Sequence, residues 1–206
     1  KGFKPAKAKA SYSPQHAEVL AQEAAAKKRK DTLINVGVSY YTGMRSSELY
    51  EYHLKDVDGL LCFEIKDGKT ASSKRNVPLH NHLLEWLKEG GSLPNIGSGF
   101  NWASPTKSEF NKAFNRFSGT YLLKKHDISE DAGTLSHHSF RHGMSTRLFE
   151  AGYSELEVAH VVGHSSETVG KTETAKTYIK KASLSVLQDR INSIEAISLP
   201  SIRDAI

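Results

Sequence analysis

The sequence predicts a mainly α domain carrying a small antiparallel β-sheet, and three observations lead there. Helix start and stop signals recur from Ser13 onward. The stretch of strand character, between residues 60 and 79, is split by a polar loop. A chain of 206 residues with 38% hydrophobic content can also bury a sizeable core in one domain.

The elements follow in order. Residues 1–13 are rich in lysine, alanine and small polar residues with no apolar period, and read as a basic linker or arm ahead of a domain over residues 14–206. Ser13-Pro14 is an N-cap followed by proline at the first helical position, and strong helix formers fill residues 15–30. The basic run Lys27-Lys-Arg-Lys30 suits the negative end of that helix. Residues 32–41 are apolar enough for a buried helix, and Gly43 is placed to end it in the left-handed conformation. Arg45 then starts a second helix through Tyr52. Residues 60–65 read as a strand, residues 66–74 as a polar loop and residues 75–79 as a returning strand, a hairpin among helices. Further helices are expected at 82–88, 108–117, 139–150, 155–162 and 184–194. Residues 90–105, rich in Gly, Ser, Pro and Asn, read as a loop, and no internal repeat is visible. The last helix is apolar at Leu184, Leu187, Ile191 and Ile194 and is followed by Leu199-Pro200. That face fits either its own domain or a partner subunit.

Composition narrows the partners. Lys and Arg number 28 against 23 Asp and Glu, a net charge of +5 with a pI near 9.1. Such an excess favours an anionic partner, because cations that neutralise phosphates release counterions. No run approaches the roughly 18 apolar residues of a membrane span, and the first residues lead into no apolar signal segment. The single cysteine, Cys62, lies in an apolar run and reads as a buried thiol, in keeping with a reducing, cytoplasmic setting.

Three short stretches carry chemistry: Thr42-Gly-Met-Arg45-Ser-Ser-Glu48, His138-Ser-Phe-Arg141 and Val162-Gly-His164, followed by a tyrosine in Lys176-Thr-Tyr178. Together they supply two arginines, two histidines and a phenol, the parts needed to break a phosphodiester without a metal. Tyr40, Tyr41 and Tyr50 stand in apolar helical contexts and read as packing residues, whereas Tyr178 follows a polar segment. A cation such as Arg45 at the positive end of a helix is unfavourable unless an anion comes near.

These motifs, with Lys69-Thr70 leading to Arg75-Asn-Val-Pro-Leu79 between the first and second, stand in an order that resembles the catalytic domain of the tyrosine recombinases, the phage-type integrases in particular. The likeness runs from about Gln15 to the C-terminal helix. It implies the integrase catalytic-domain fold over residues 14–206 and a DNA strand transferase that works through a 3′-phosphotyrosyl intermediate, releases a 5′-hydroxyl and needs no cofactor and no metal. It also implies an N-terminal DNA-binding domain that is not visible here, so that residues 1–13 read as the linker to it.

The resemblance assigns roles. Arg45 and Arg141 present paired N–H donors to the nonbridging phosphate oxygens, with a planar geometry that lysine cannot copy. Tyr178 is the nucleophile. A phenol has a pKa near ~10, so it needs a base, and His138 is the candidate, selected over His137 and His142 by the His-x-x-Arg frame. Lys69 is the general acid for the leaving 5′-oxygen, although Lys66 and Lys74 share its loop. His164 donates a hydrogen bond to the phosphate, and Glu48 holds Arg45 in place.

Other readings remain. A type IB topoisomerase or telomere resolvase shares this nucleophile and arginine logic. A non-catalytic DNA-binding relative would keep the surface without the reaction. A metal hydrolase is prompted by His138 with His142 and His160 with His164, each at i, i+4 spacing, but no carboxylate stands beside the first histidine of either pair and Arg141 would repel the ion. The expected partners are double-stranded DNA at attachment sites, a homotetramer assembled on two duplexes, and accessory DNA-bending or excisionase proteins, with localisation in the cytoplasm on the nucleoid.

Overall fold

Helix α2 (Lys30–Thr42) is the axis on which the domain is built. Every residue from Leu33 to Thr42 is buried, and the polar ones among them, Asn35, Ser39 and Thr42, are hydrogen-bonded, as buried polar groups must be. A computed structural model describes residues 10–66, 74–126, 135–163 and 183–206. Around α2 stand α1 (Pro14–Ala26), α3 (Ser46–Glu51), α4 (Asn81–Glu89) and α6 (His138–Glu150). Helix α5 (Lys107–Ser118) packs on α3 and runs into a π-helical turn, Gly119–Lys125. Helices α7 (Glu155–Val162) and α8 (Leu184–Asn192) contact each other. The mainly α class with a small antiparallel sheet is borne out.

The expected hairpin is a three-stranded sheet. Strands β1 (His53–Val57), β2 (Leu60–Ile65) and β3 (Arg75–Pro78) lie in the order β1-β2-β3, all antiparallel. The added strand follows from Asp58-Gly59, which join Val57 to its partner Leu60 in a two-residue turn with φ of 54° and 83°. Such a turn needs positive φ at both central residues, and Asp-Gly is among the pairs that tolerate it. Cys62 is buried on β2, and burial, with Asp56 nearby, pushes its thiol up to about 11.

Two boundaries move. Helix α1 ends at Ala26 because Lys28 turns left-handed at φ 54°, so the basic run forms the turn into α2 instead of the last turn of α1. Tyr12 belongs to the core, although the sequence reading puts the domain start after residue 13. Its N–H donates to the Ser139 carbonyl (3.2 Å), and its ring lies 4.3 Å from that of Phe140. A lone aromatic in a polar run has no period to betray it.

The C-terminal segment packs on its own domain. Ile194, Ile197 and Ile202 are buried. The Tyr40 hydroxyl donates to the Glu195 carbonyl at 3.0 Å, and the Trp86 indole donates to that of Pro200 at 2.8 Å. Among the described residues no helix is long and apolar enough to cross a membrane.

The junction that positions the site is Gly43. It caps α2 at φ 59°, and a Cβ there would sit 2.9 Å from the Cβ of Met144 on α6. Both the left-handed backbone and the close approach of α6 therefore require glycine. Gly43→Ala is expected to destabilise the fold by about 2 kcal/mol, the sum of a left-handed alanine and a forced shift of α6. Urea unfolding with an unchanged m-value would check it; a loss below about 0.5 kcal/mol would mean that the turn relaxes freely.

Candidate active site

The turn after Gly43 sends Arg45 to the head of α3, where it is the N-cap residue. Glu48, one turn on, reaches back: its Oε2 accepts the Arg45 backbone N–H at 3.0 Å, half of a capping box, and its Oε1 accepts from the Arg45 guanidinium. Glu48 is 2% exposed. A carboxylate so deep needs more than one partner, and the second is Arg75, at the start of β3. Arg75 donates Nη1 to Oε1 at 3.2 Å and Nη2 to Oε2 at 3.1 Å, a two-pronged clasp. Burial works to raise the Glu48 carboxyl, but the charge and hydrogen bonds of Arg75, then those of Arg45, outweigh it and hold the group below the usual carboxylate range.

Arg141 comes to this cluster from α6. It is 1% exposed and the largest fully buried side chain of the described residues. Its Nη1 donates to the Gly43 carbonyl at 3.2 Å, while Nε and Nη2 have no hydrogen-bond partner among the described residues. Burial first, then repulsion from Arg45 and Arg75, lowers its pKa to about 9, and Glu48 only partly opposes this. A guanidinium buried with idle donors is costly unless an anion completes it. Among the described residues three guanidiniums thus stand around one carboxylate, an excess of two positive charges.

His138 opens α6, three residues before Arg141, and is exposed. Its ring meets that of His142 edge-on, with centroids 4.8 Å apart. His137, one residue earlier, points the other way and is buried, its Nε2 3.0 Å from Asn35 Oδ1 and 3.1 Å from Ser39 Oγ. Adjacent histidines therefore divide into one core residue and one surface residue. Among the described residues no group of three or more His, Cys, Asp or Glu side chains is placed to hold a metal ion.

Helix α7 ends at Gly163, which is left-handed at φ 71° and donates to the Ala159 carbonyl at 2.8 Å. The helices on either side of residues 164–182 are pinned together by Arg190 of α8, which donates to Glu157 of α7 at 2.9 Å. Of the residues picked out from the sequence, the structure brings Arg45, Glu48 and Arg141 to one place, with His138 at the head of the helix that carries Arg141. Lys69, His164 and Tyr178 lie outside the described residues. The sequence marks Arg75 only as part of a motif frame. The signal for more is weak, since an arginine opening a strand next to a lysine-rich loop looks like a solvated surface residue.

Comparison with known proteins bears on the family and the fold. The model of the phage integrase family matches residues 13–183. The tyrosine recombinase XerD of Staphylococcus saprophyticus is 31% identical over 149 residues, 69% of this chain and 50% of its own length. XerD of Staphylococcus aureus is 30% identical over the same share of both chains. A crystal structure of XerA recombinase superposes with a TM-score of 0.55 at 18% identity, covering 86% of this chain and 65% of that one, a likeness of fold. The chain belongs to the phage integrase family, the tyrosine recombinases. It spans about half the length of the curated relatives it matches.

Proposed function

We propose that this chain is the catalytic domain of a site-specific DNA recombinase that cuts and rejoins strands for integration or excision of a phage or another mobile element. The observation that carries the reading is Arg141: a fully buried guanidinium with two nitrogens unpartnered among the described residues, beside Arg45, in a cluster whose described residues are short of negative charge. A phosphodiester supplies one negative charge, and attack by an ionised phenol adds a second in the pentacoordinate transition state. The surplus of positive charge in the cluster among the described residues suits that demand, and preorganised charge of this kind usually contributes more to catalysis than any other single effect.

The order of the sequence motifs supports the remaining parts. The Tyr178 oxygen bonds to phosphorus as the bond to the 5′-oxygen breaks; His138 takes the phenol proton, Lys69 gives one to the departing 5′-oxygen, and His164 donates to the phosphate. The 3′-phosphotyrosyl bond keeps the energy for rejoining, which proceeds by the reverse path when a 5′-hydroxyl attacks. The exposure of His138 suits a group that must meet the DNA and exchange protons. The partner is duplex DNA at attachment sites, bound by four copies across two duplexes and aided by DNA-bending or excisionase proteins, in the cytoplasm on the nucleoid.

The test is a duplex nicked near the attachment-site crossover, incubated in EDTA with the full-length protein and with Tyr178→Phe. A covalent protein–DNA band that survives EDTA, requires Tyr178 and leaves a 5′-hydroxyl is the expected result. DNA binding without an adduct would overturn it in favour of a non-catalytic DNA-binding relative, and cleavage abolished by EDTA would point to a metal hydrolase.

A further inference from the structure

We propose that Arg75 is a positioning residue of the phosphate site: it takes up the Glu48 carboxylate, so that Arg45 and Arg141 keep their charge for the DNA, and it fixes the Gly163 turn. The inference rests on the recombinase reading above and assigns a part to a residue outside the expected catalytic set.

The Glu48 carboxylate is saturated. Oε1 accepts from the guanidiniums of both Arg45 and Arg75, and Oε2 accepts from the Arg45 backbone N–H and from Arg75. A carboxylate offers about four lone-pair sites, so these bonds fill it. Both terminal nitrogens of Arg75 donate to Glu48, which ties Arg75 to the carboxylate. Without Arg75, a buried carboxylate 2% exposed would keep Arg45 as its ion-pair partner among the described residues, with Arg141 acting on it only through its charge. Arg45, which already donates to Glu48, would then bear the whole of that pairing, and among the described residues Arg141 would keep the cluster's remaining positive charge.

The second contact is with Gly163. A Cβ built there would lie 2.7 Å from both Cζ and Nη1 of Arg75 and 2.8 Å from its Nε, so the guanidinium lies flat against the glycine backbone. Gly163 caps α7 directly before His164. Arg75 itself opens β3, the strand that follows Lys69 in sequence. One side chain thereby joins the Arg45 turn, the start of β3 and the Gly163 turn. Its planar fork suits this place, because it can clasp a carboxylate edge-on while offering a flat face to the glycine.

The test is a double-variant cycle on the full-length protein, comparing Arg75→Met, Glu48→Gln and the pair. Glutamine keeps an acceptor for the Arg45 N–H, so the start of α3 survives. Arg75→Met is expected to slow single-turnover adduct formation by about 100-fold, the usual scale of a misplaced catalytic group, with the DNA Kd changed less than about threefold. Adding Glu48→Gln removes the unsheathed charge and is expected to restore about tenfold or more, a coupling that a merely structural role would not give. A pair as slow as Arg75→Met alone overturns the proposal. Should Arg75→Met fail to fold, Arg75→Lys replaces it in the cycle; keeping the charge but not the fork, it is expected to be about tenfold slow, and full activity of Arg75→Lys overturns the proposal. If the wild-type protein makes no adduct, the recombinase reading fails separately. The positioning claim is then decided by the carbon-13 titration of the Glu48 carboxyl. A rise on Arg75→Met, with a moved Gly163 amide signal, supports the tie, and no change in either overturns it.

Discussion

Arg141→Met is expected to abolish covalent adduct formation, by about 10²–10³-fold or more, while leaving thermal stability unchanged within about 1 kcal/mol or raised. Loss of activity without loss of stability is the signature of a group held at a cost to the fold. Arg141 is fully buried and, among the described residues, makes one hydrogen bond, to the Gly43 carbonyl, and keeps two nitrogens idle in a field made more positive by Arg45 and Arg75. Methionine fills a similar volume without the charge, so the penalties of desolvation and repulsion vanish, at the expense of leaving one carbonyl unsatisfied. Adduct formation on a nicked duplex and urea unfolding, measured on the same preparations, decide the matter. If stability instead falls by about 3 kcal/mol or more, the scale of breaking a buried charge pair, Arg141 is a structural ion-pair partner and the phosphate reading loses its main support.

The same residues show what can be read in the sequence. The Gly43 cap is legible because a glycine after an apolar helical run has few other uses, and its φ of 59° bears this out. The ends of α7 and of β2 are legible for similar local reasons, as is the buried state of Tyr40, Tyr41 and Cys62. Strand β1 is not, since His53–Val57 has no clean alternation and most of its length is not buried; Asp58-Gly59 is the available signal. Tyr12 escapes because its partners, Phe114 and Phe140, lie over a hundred residues away in sequence. Motif order picks out Arg45, Glu48 and Arg141, but the charge imbalance among them depends on Arg75, whose bond to Glu48 spans 27 residues. Pairings of that kind are set by the fold as a whole, and no local pattern announces them.

His137 offers a second large effect, on stability against acid. Burial, reinforced by the neighbouring His138, pushes its pKa down from 6.5 to about 3, so the native protein holds it neutral, bonded to Asn35 and Ser39. The unfolded chain binds the proton near pH 6.5 and the native one does not until about pH 3. Across that window the unfolded state carries the extra proton, and stability therefore falls as pH falls. The contribution is fully present above pH 6.5 and is lost at up to about 1.4 kcal/mol per pH unit on the way down. His16, His80 and His160, also lowered chiefly by burial, act in the same direction. The expected result is that urea-unfolding free energies of His137→Gln decline less steeply between pH 6.5 and 5, above the range where carboxylates titrate, by about 1 kcal/mol per unit. A slope unchanged from wild type would mean that His137 is protonated in the folded state. Its exposed neighbour gives the contrast. The pH profile of adduct formation should stay where it is in His137→Gln and move in variants of His138, because the buried ring carries no charge in the range where the reaction runs and so imposes no field on the one beside it.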